Sequence, residues 1–256
     1  MRIATWNVNS LNARLARVEE WLDYARPDVL CMQETKVADA AFPAMAFSAL
    51  GYETASHGDG RWNGVAVASR VGIEDVSRGF TDEDDDRGAR LLAATCGGVR
   101  VGSAYVPNGR SLSDDHYQYK LAWLARLRDL LDNHADAGAP LALCGDFNIA
   151  PDDRDVWDPA AFEGETHVSQ PERDALQRLE DWGLVDVFRR HYDAPGLFSW
   201  WDYRAGNFHK GKGMRIDLVL ATPSLAEHST SALIDRNARK GKLPSDHAPV
   251  VVDFDV

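Results

Sequence analysis

Six apolar stretches of this 256-residue chain run out into side chains able to hold a metal ion or move a proton. The first ends at Trp6-Asn7-Val8-Asn9 and the second at Gln33-Glu34-Thr35-Lys36. Others end at Tyr105-Val106-Pro107-Asn108 and Gly145-Asp146-Phe147-Asn148. A fifth carries Arg215-Ile216-Asp217, and Ser245-Asp246-His247-Ala248-Pro249 precedes the last. Asn and Asp at a strand end often only make a turn, which is the better reading of any one taken alone. Six such ends, each with a group suited to metal or proton chemistry, point to a shared site.

The chemistry fits together. Glu34 is a hard oxygen donor at the mouth of a buried strand, and Mg²⁺ takes one or two carboxylates plus waters and phosphate oxygens. Such an ion neutralises a phosphate oxygen and the charge growing on a leaving oxygen. Asp146 and Asn148, two apart on an extended segment, face the same way and can orient one water. His247 can donate to a phosphoryl oxygen or orient water if a carboxylate fixes its ring. Asp217 and Asp246 are the candidates. Asp246 neighbours His247, so on an extended chain the two point apart. That favours Asp217 as the partner and frees Asp246 for a metal. Cys144 has no basic neighbour to activate it, and no Gly-x-Ser-x-Gly elbow supports Ser245 as a nucleophile.

These ends need strands behind them. Residues 2–8 and 29–33 read as strands around a helix over 14–24, with Leu15, Val18, Trp21 and Leu22 on one face. Further strands are expected at 64–69, 72–78, 91–96, 100–106, 141–144, 216–220, near 230–234, and at 250–254. A helix after Ser113 should bury Tyr117, Leu121, Leu124, Leu127 and Leu131. Ser169 and Glu172 form a capping box for a helix through Trp182. Strand sets on either side of about Ser111 suit two sheets packed face to face with helices outside. No linker divides the chain, so one domain spanning 1–256 is expected.

Composition limits the rest. Cys31, Cys96 and Cys144, odd in number and in apolar runs, read as core residues rather than a disulfide or zinc framework. No apolar run reaches the roughly 18 residues of a membrane helix, and the N-terminus reads as a strand rather than a signal peptide. A cytoplasmic protein with no membrane partner is expected. The net charge of −12 counts against nucleic-acid binding when taken alone. The acidic excess is partly local, however, in Asp82, Glu83, Asp84, Asp85 and Asp86, read as a solvated loop. Arg204, His209, Lys210, Lys212 and Arg215 gather in one stretch, and Arg236, Arg239, Lys240 and Lys242 in another, both close to the chemical motifs.

In this order, the motifs resemble the exonuclease III and apurinic/apyrimidinic (AP) endonuclease branch of the endonuclease/exonuclease/phosphatase superfamily. The likeness covers nearly the whole chain. The Tyr105-to-Gly109 segment, Gly183-Leu184-Val185-Asp186-Val187-Phe188-Arg189 and Phe198-Ser199-Trp200-Trp201-Asp202-Tyr203-Arg204 add to it. The resemblance implies a deoxyribonuclease-I-like α/β fold, a four-layer αββα sandwich of two mixed sheets flanked by helices. It implies Glu34 as a Mg²⁺ ligand (Mn²⁺ as a substitute), with Asn7, Asn9 and Asp246 near the ion. Asp146 and Asn148 would activate water, and His247 with Asp217 would contact the scissile phosphate. Tyr105 would lie against that phosphate as donor or phenolate, with Asn108 nearby.

Trp200 and Trp201, with Phe188 as a third wall, would form a pocket for an abasic sugar. Lys36, Lys210 and Lys212 would bind DNA. The expected activity is incision of duplex DNA 5′ to abasic sites, with 3′→5′ exonuclease and 3′-phosphatase action, by a monomer. Val106-Pro107-Asn108 departs from the Phe-Pro-Gln of some relatives, and the loop 206–213 varies among them. A lipid or inositol phosphatase, or a non-catalytic DNA-binding module, is the competing reading.

Overall fold

A computed structural model describes residues 1–80 and 88–256. The acidic run from Asp82 to Asp86 lies outside the described residues. Two six-stranded sheets form the centre. The first holds β1 (Arg2–Asn7), β2 (Val29–Gln33), β3 (Glu53–His57), β4 (Val65–Ser69), β11 (Ser229–Ile234) and β12 (Val250–Phe254), in the order β11-β12-β1-β2-β4-β3. The second holds β5 (Glu74–Arg78), β6 (Leu91–Cys96), β7 (Val99–Tyr105), β8 (Leu141–Asp146), β9 (Val185–Asp186) and β10 (Asp217–Ala221), in the order β5-β6-β7-β8-β10-β9.

The sheets are mixed. β1 and β2 run parallel, as do β7 and β8, and the other pairs are antiparallel. A parallel pair needs a long crossover, which α1 (Leu11–Ala25) supplies in the first sheet. After α2 (Ala44–Ala49), α3 (Asp115–His134) supplies it in the second. α4 (Gln170–Trp182) follows, then the short helices α5 (Val187–His191), α6 (Asn207–Lys210) and α7 (Pro223–Ala226).

Strand alternation builds the layers. Ile3, Val29, Cys31, Val101, Ala142, Cys144 and Val219 fill the space between the sheets. Ala4, Trp6, Leu30 and Met32 face α1 with its Val18, Trp21 and Leu22. Leu141, Leu143, Leu218 and Leu220 face α3 and α4. These strands are buried on both faces, so they read as continuous apolar runs. The expected four-layer sandwich is present, and the three cysteines are buried and free. Among the described residues, no helix is long and apolar enough to cross a membrane.

Two expectations need correction. The sheets do not divide near Ser111: β5, β6 and β7 already belong to the second sheet, while β11 and β12 return to the first. β1 is an inner strand and must be paired on both edges, so β12 takes its free edge with Arg2 opposite Asp253. Periodicity gives a strand's faces but not its partner. On α3, Leu121 is only half-buried, while Trp123 and Lys120 are fully buried. That helix packs on α4 as well as on the sheet, which widens its buried face.

Register brings the chemical residues to one end. Asn7 lies opposite Gln33. Tyr105 lies opposite Asp146, and Asp146 opposite Asp217, on three adjacent strands. The close approach of β7 to β8 requires glycine at 145, where a Cβ would sit 1.9 Å from the Ala104 carbonyl oxygen.

Candidate active site

Glu34, Asp146 and His247 offer ligand atoms that all lie within 4.8 Å of one another. Glu34 leaves β2 at φ 50°, and Lys36 has φ 52°. Such left-handed residues cost of order 1–3 kcal/mol unless held. Here Ser10 N donates to Glu34 O (2.7 Å), Thr35 N to Gly64 O (3.0 Å) and Lys36 N to Asn63 O (2.9 Å). Gly64 is fixed by the same contact, since a Cβ there would lie 2.2 Å from Thr35 Oγ1.

Asn7 sits between the carboxylates. Its Nδ2 donates to Glu34 Oε1 (2.9 Å) and Asp146 Oδ2 (2.8 Å), while its Oδ1 accepts from Asn9 N (3.0 Å). Asn7 thus holds the two carboxylates in place through its amide nitrogen. Asp246 also stands apart from the cluster: Oδ1 accepts from Asn9 Nδ2 (3.0 Å) and Oδ2 from Trp200 Nε1 (3.1 Å). Lys36 completes the rim, donating to Asn9 Oδ1 (2.7 Å) and pairing with Glu34 Oε2 (2.8 Å).

His247 Nδ1 donates to Asp217 Oδ2 at 2.8 Å, and Nε2 lies 3.8 Å from Asp146 Oδ2. Burial alone would lower the imidazole's pKa, but the Asp217 and Asp146 carboxylates outweigh it and raise it to about 10. Burial pushes Asp146 above the usual carboxylate range, although His247 opposes this. Ser199 Oγ donates to Asp217 Oδ2 (2.6 Å), and Ser245 Oγ to Asn7 O (2.6 Å). Ser245 thus ties β1 to the His247 segment and is not poised as a nucleophile. The Tyr105 hydroxyl is held well above its ordinary pKa by burial and by the Glu34 and Asp146 carboxylates.

The donor set suits a hard divalent cation. Glu34 and Asp146 supply carboxylate oxygens, the preferred ligands of such ions. A protonated His247 is a hydrogen-bond donor and leaves the ion to the oxygens.

Asn148 departs from the expected strand geometry. β8 ends at Asp146, and Asn148 takes φ 50°. Its Nδ2 donates to Val106 O (2.9 Å), and its Oδ1 accepts from Asn108 Nδ2 (3.2 Å). Beneath the two asparagines lies a network that the sequence reading missed. Lys120 Nζ donates to Asn148 O (2.6 Å), Asn108 O (3.3 Å) and Glu172 Oε1. His167 Nδ1 lies 2.6 Å from Asn148 O, the geometry of a donor. Burial and the Lys120 charge lower the pKa of His167, so the ring is neutral. The signals were weak: a lysine within an apolar helical face, and a capping-box glutamate whose second oxygen turns inward.

The aromatic and basic residues separate into two groups. Trp200 faces the site, its ring centroid 6.5 Å from that of His247. Trp201 points the other way and is fully buried with Phe198, Ala248 and Phe208, because extended neighbours alternate. Phe188 is likewise in the inter-sheet core, 2% exposed, and forms no pocket wall. Lys212 lies 4.1 Å over the Trp157 ring and lines a groove of about 360 Å³ with Trp200 and His167. Lys210 is exposed at the end of α6, outside that groove. Arg215 is fully buried between Asp155 and Asp186 (2.5 and 2.7 Å), so it braces β10 instead of meeting solvent.

Residues 4–247 match the model of the Endonuclease/Exonuclease/phosphatase family. Exodeoxyribonuclease III of Haemophilus influenzae is 34% identical over 99% of this chain and 100% of its own length. The structure of an AP endonuclease from Archaeoglobus fulgidus superposes with TM-score 0.96 at 40% identity, covering all of both chains. The 3′-5′ exonuclease NExo from Neisseria meningitidis gives TM-score 0.95 at 40% identity, again over both whole chains. With these matches and this geometry, the chain belongs to the endonuclease/exonuclease/phosphatase family, in its exodeoxyribonuclease III and AP endonuclease branch.

Proposed function

We propose that this protein is a Mg²⁺-dependent DNA-repair phosphodiesterase, acting as a single-domain monomer at phosphate esters beside a 3′ oxygen. Its substrates would be duplexes with abasic sites, cut on the 5′ side, and 3′ ends carrying phosphates or normal nucleotides. The carrying observation is the convergence of Glu34, Asp146 and His247, with Asp217 buried behind the histidine.

Each residue has a physical task. Asp146, its pKa raised by burial, accepts the proton of an attacking water near neutral pH. Cationic His247, held by Asp217, donates to a phosphoryl oxygen and stabilises the charge developing there. The Tyr105 phenol donates to the same phosphate. Glu34 would hold the cation, with Asn7 keeping its carboxylate and that of Asp146 in place. When bound, Mg²⁺ supplies Lewis-acid neutralisation of the phosphate and the leaving oxygen. Mn²⁺ would serve as well in an all-oxygen site. Trp200 forms one wall for the sugar, and an abasic nucleotide, lacking stacking, is the easiest to extrude. Lys36 and Lys212 bind backbone phosphates and fix register without reading sequence.

A second reading, activity on 3′ ends alone, rests on one observation that weighs equally with the abasic-site reading. NExo, described as a 3′-5′ exonuclease and, in a complex with a product DNA hairpin, as a 3′ phosphatase, is as identical to this chain as the archaeal AP endonuclease is.

The test is incubation with a labelled abasic duplex, a 3′-phosphate duplex and a blunt duplex, each with Mg²⁺ and with chelator. Hydrolysis of all three that chelator abolishes is expected. Cleavage of only the two 3′-end substrates would support the narrower reading. No DNA cleavage with Mg²⁺, or equal cleavage with chelator, would refute both.

A further inference from the structure

The Lys120–Glu172 ion pair takes no part in the steps above, yet both side chains are fully buried, at 0% exposure. Taking two charges out of water carries a penalty of several kcal/mol per ion, roughly, even after relaxation. Packing alone would be served as well by apolar side chains at this point of α3 and α4. The contacts of the pair suggest what the charges are for.

An ammonium has three donors, and Lys120 has three acceptors: the carbonyls of Asn148 and Asn108 and the carboxylate of Glu172. Glu172 is as fully used. Oε1 also accepts from Thr166 Oγ1 (2.8 Å) and His167 N (3.0 Å), and Oε2 from Ser169 N (3.1 Å) and Ser169 Oγ (2.6 Å). Thr166 Oγ1 lies 3.2 Å from Asn108 O, which closes the network. One ion pair therefore joins the segment leaving β7, the segment leaving β8 and the start of α4. Asn148, in a left-handed conformation, is the residue this clamp holds most directly. Its backbone N accepts restraint from the site itself, donating to Asp146 Oδ1 at 2.9 Å.

We infer that Lys120 and Glu172 are positioning residues for hydrolysis, acting through Asn148. By fixing the Asn148 carbonyl from below, the pair sets where its side-chain amide, held by Val106 O and Asn108 Nδ2, is directed. This rests on the hydrolytic reading given above.

A double-mutant cycle tests it. Single-turnover release of phosphate from a 3′-phosphate duplex is measured with Mg²⁺ for wild type, Lys120→Met, Glu172→Gln, Asn148→Ala and the two double variants. Each of Lys120→Met and Glu172→Gln is expected to slow the chemical step by about 10- to 100-fold, the scale of a displacement near 1 Å. The DNA concentration giving half-maximal rate should stay within about threefold of wild type, because no phosphate contact is removed. In the Asn148→Ala background the same changes should cost less than about threefold, because the positioned amide is gone.

Equal losses in both backgrounds would overturn the inference and leave the pair a support of the fold. Glu172→Gln keeps the shape of the side chain and decides the cycle if Lys120→Met does not fold. A wild-type protein that releases no phosphate defeats the hydrolytic reading, and the inference with it. An active wild type with an additive cycle defeats the inference alone.

Discussion

Asp217 accepts a 2.8 Å hydrogen bond from Nδ1 of His247, and both side chains are shut away from solvent. The pair joins the start of β10, in the second sheet, to the segment leading into β12, in the first. A charged imidazole at the sheet junction thus depends on a carboxylate from the opposite sheet.

This pairing sets a pH dependence of stability. The folded pKa of His247 is raised to about 10 from its ordinary 6.5. The stabilisation from the charged ring is therefore complete below about pH 6.5 and is lost as pH rises toward 10. Melting temperatures of the chelator-treated protein should fall across that window. Asp217→Asn should flatten the fall and slow DNA hydrolysis by about 100-fold or more, the cost of losing a key electrostatic donor. An unchanged pH slope would refute the cationic histidine.

The two adjacent tryptophans should behave differently. Trp201→Ala removes a fully buried side chain and should destabilise by about 3–5 kcal/mol. Trp200→Ala opens the site wall and frees Asp246 from one donor. It should cost much less stability but weaken cleavage of the abasic duplex. Urea unfolding beside an incision assay separates the two, and equal unfolding midpoints would contradict the assignment.

The expected site was largely legible because strand alternation is strict. Two adjacent residues on an extended chain diverge, which assigned Asp217 and not Asp246 to His247 before any coordinates. Alternation could not say which of Trp200 and Trp201 faces the site, and it offered no guard against Phe188, an aromatic within the inter-sheet core. Asn7 and Asn148 both lie at the strand ends where alternation put them, but the left-handed turn at Asn148 and the hydrogen-bond direction of either amide depend on neighbours distant in sequence. Lys120 and Glu172, 52 positions apart, were invisible as a pair, since a lysine on an amphipathic helix ordinarily reads as a solvated residue. Sheet membership failed near Ser111 because apolar patterning carries no information on strand partners.

The basic stretch after Trp201 should divide by function. Lys212→Ala should weaken DNA binding about equally for all sequences and lower the salt slope of log K by about 1. Arg215→Met leaves Asp186 without its buried ion-pair partner and Asp155 with Arg189 alone, and should cost about 3–5 kcal/mol of stability. Salt titrations of binding and urea unfolding check the two. A reduced salt slope for Arg215→Met, or none for Lys212→Ala, would reverse the division.

Most directly at stake is whether tips from both sheets form one hydrolytic centre. The decisive measurement is the single-turnover rate of Asp146→Asn on 3′-phosphate duplex DNA with Mg²⁺. A fall of about 10²–10⁴-fold, the range for a lost general base, with DNA affinity nearly unchanged, is the expected result. A rate equal to wild type would contradict it.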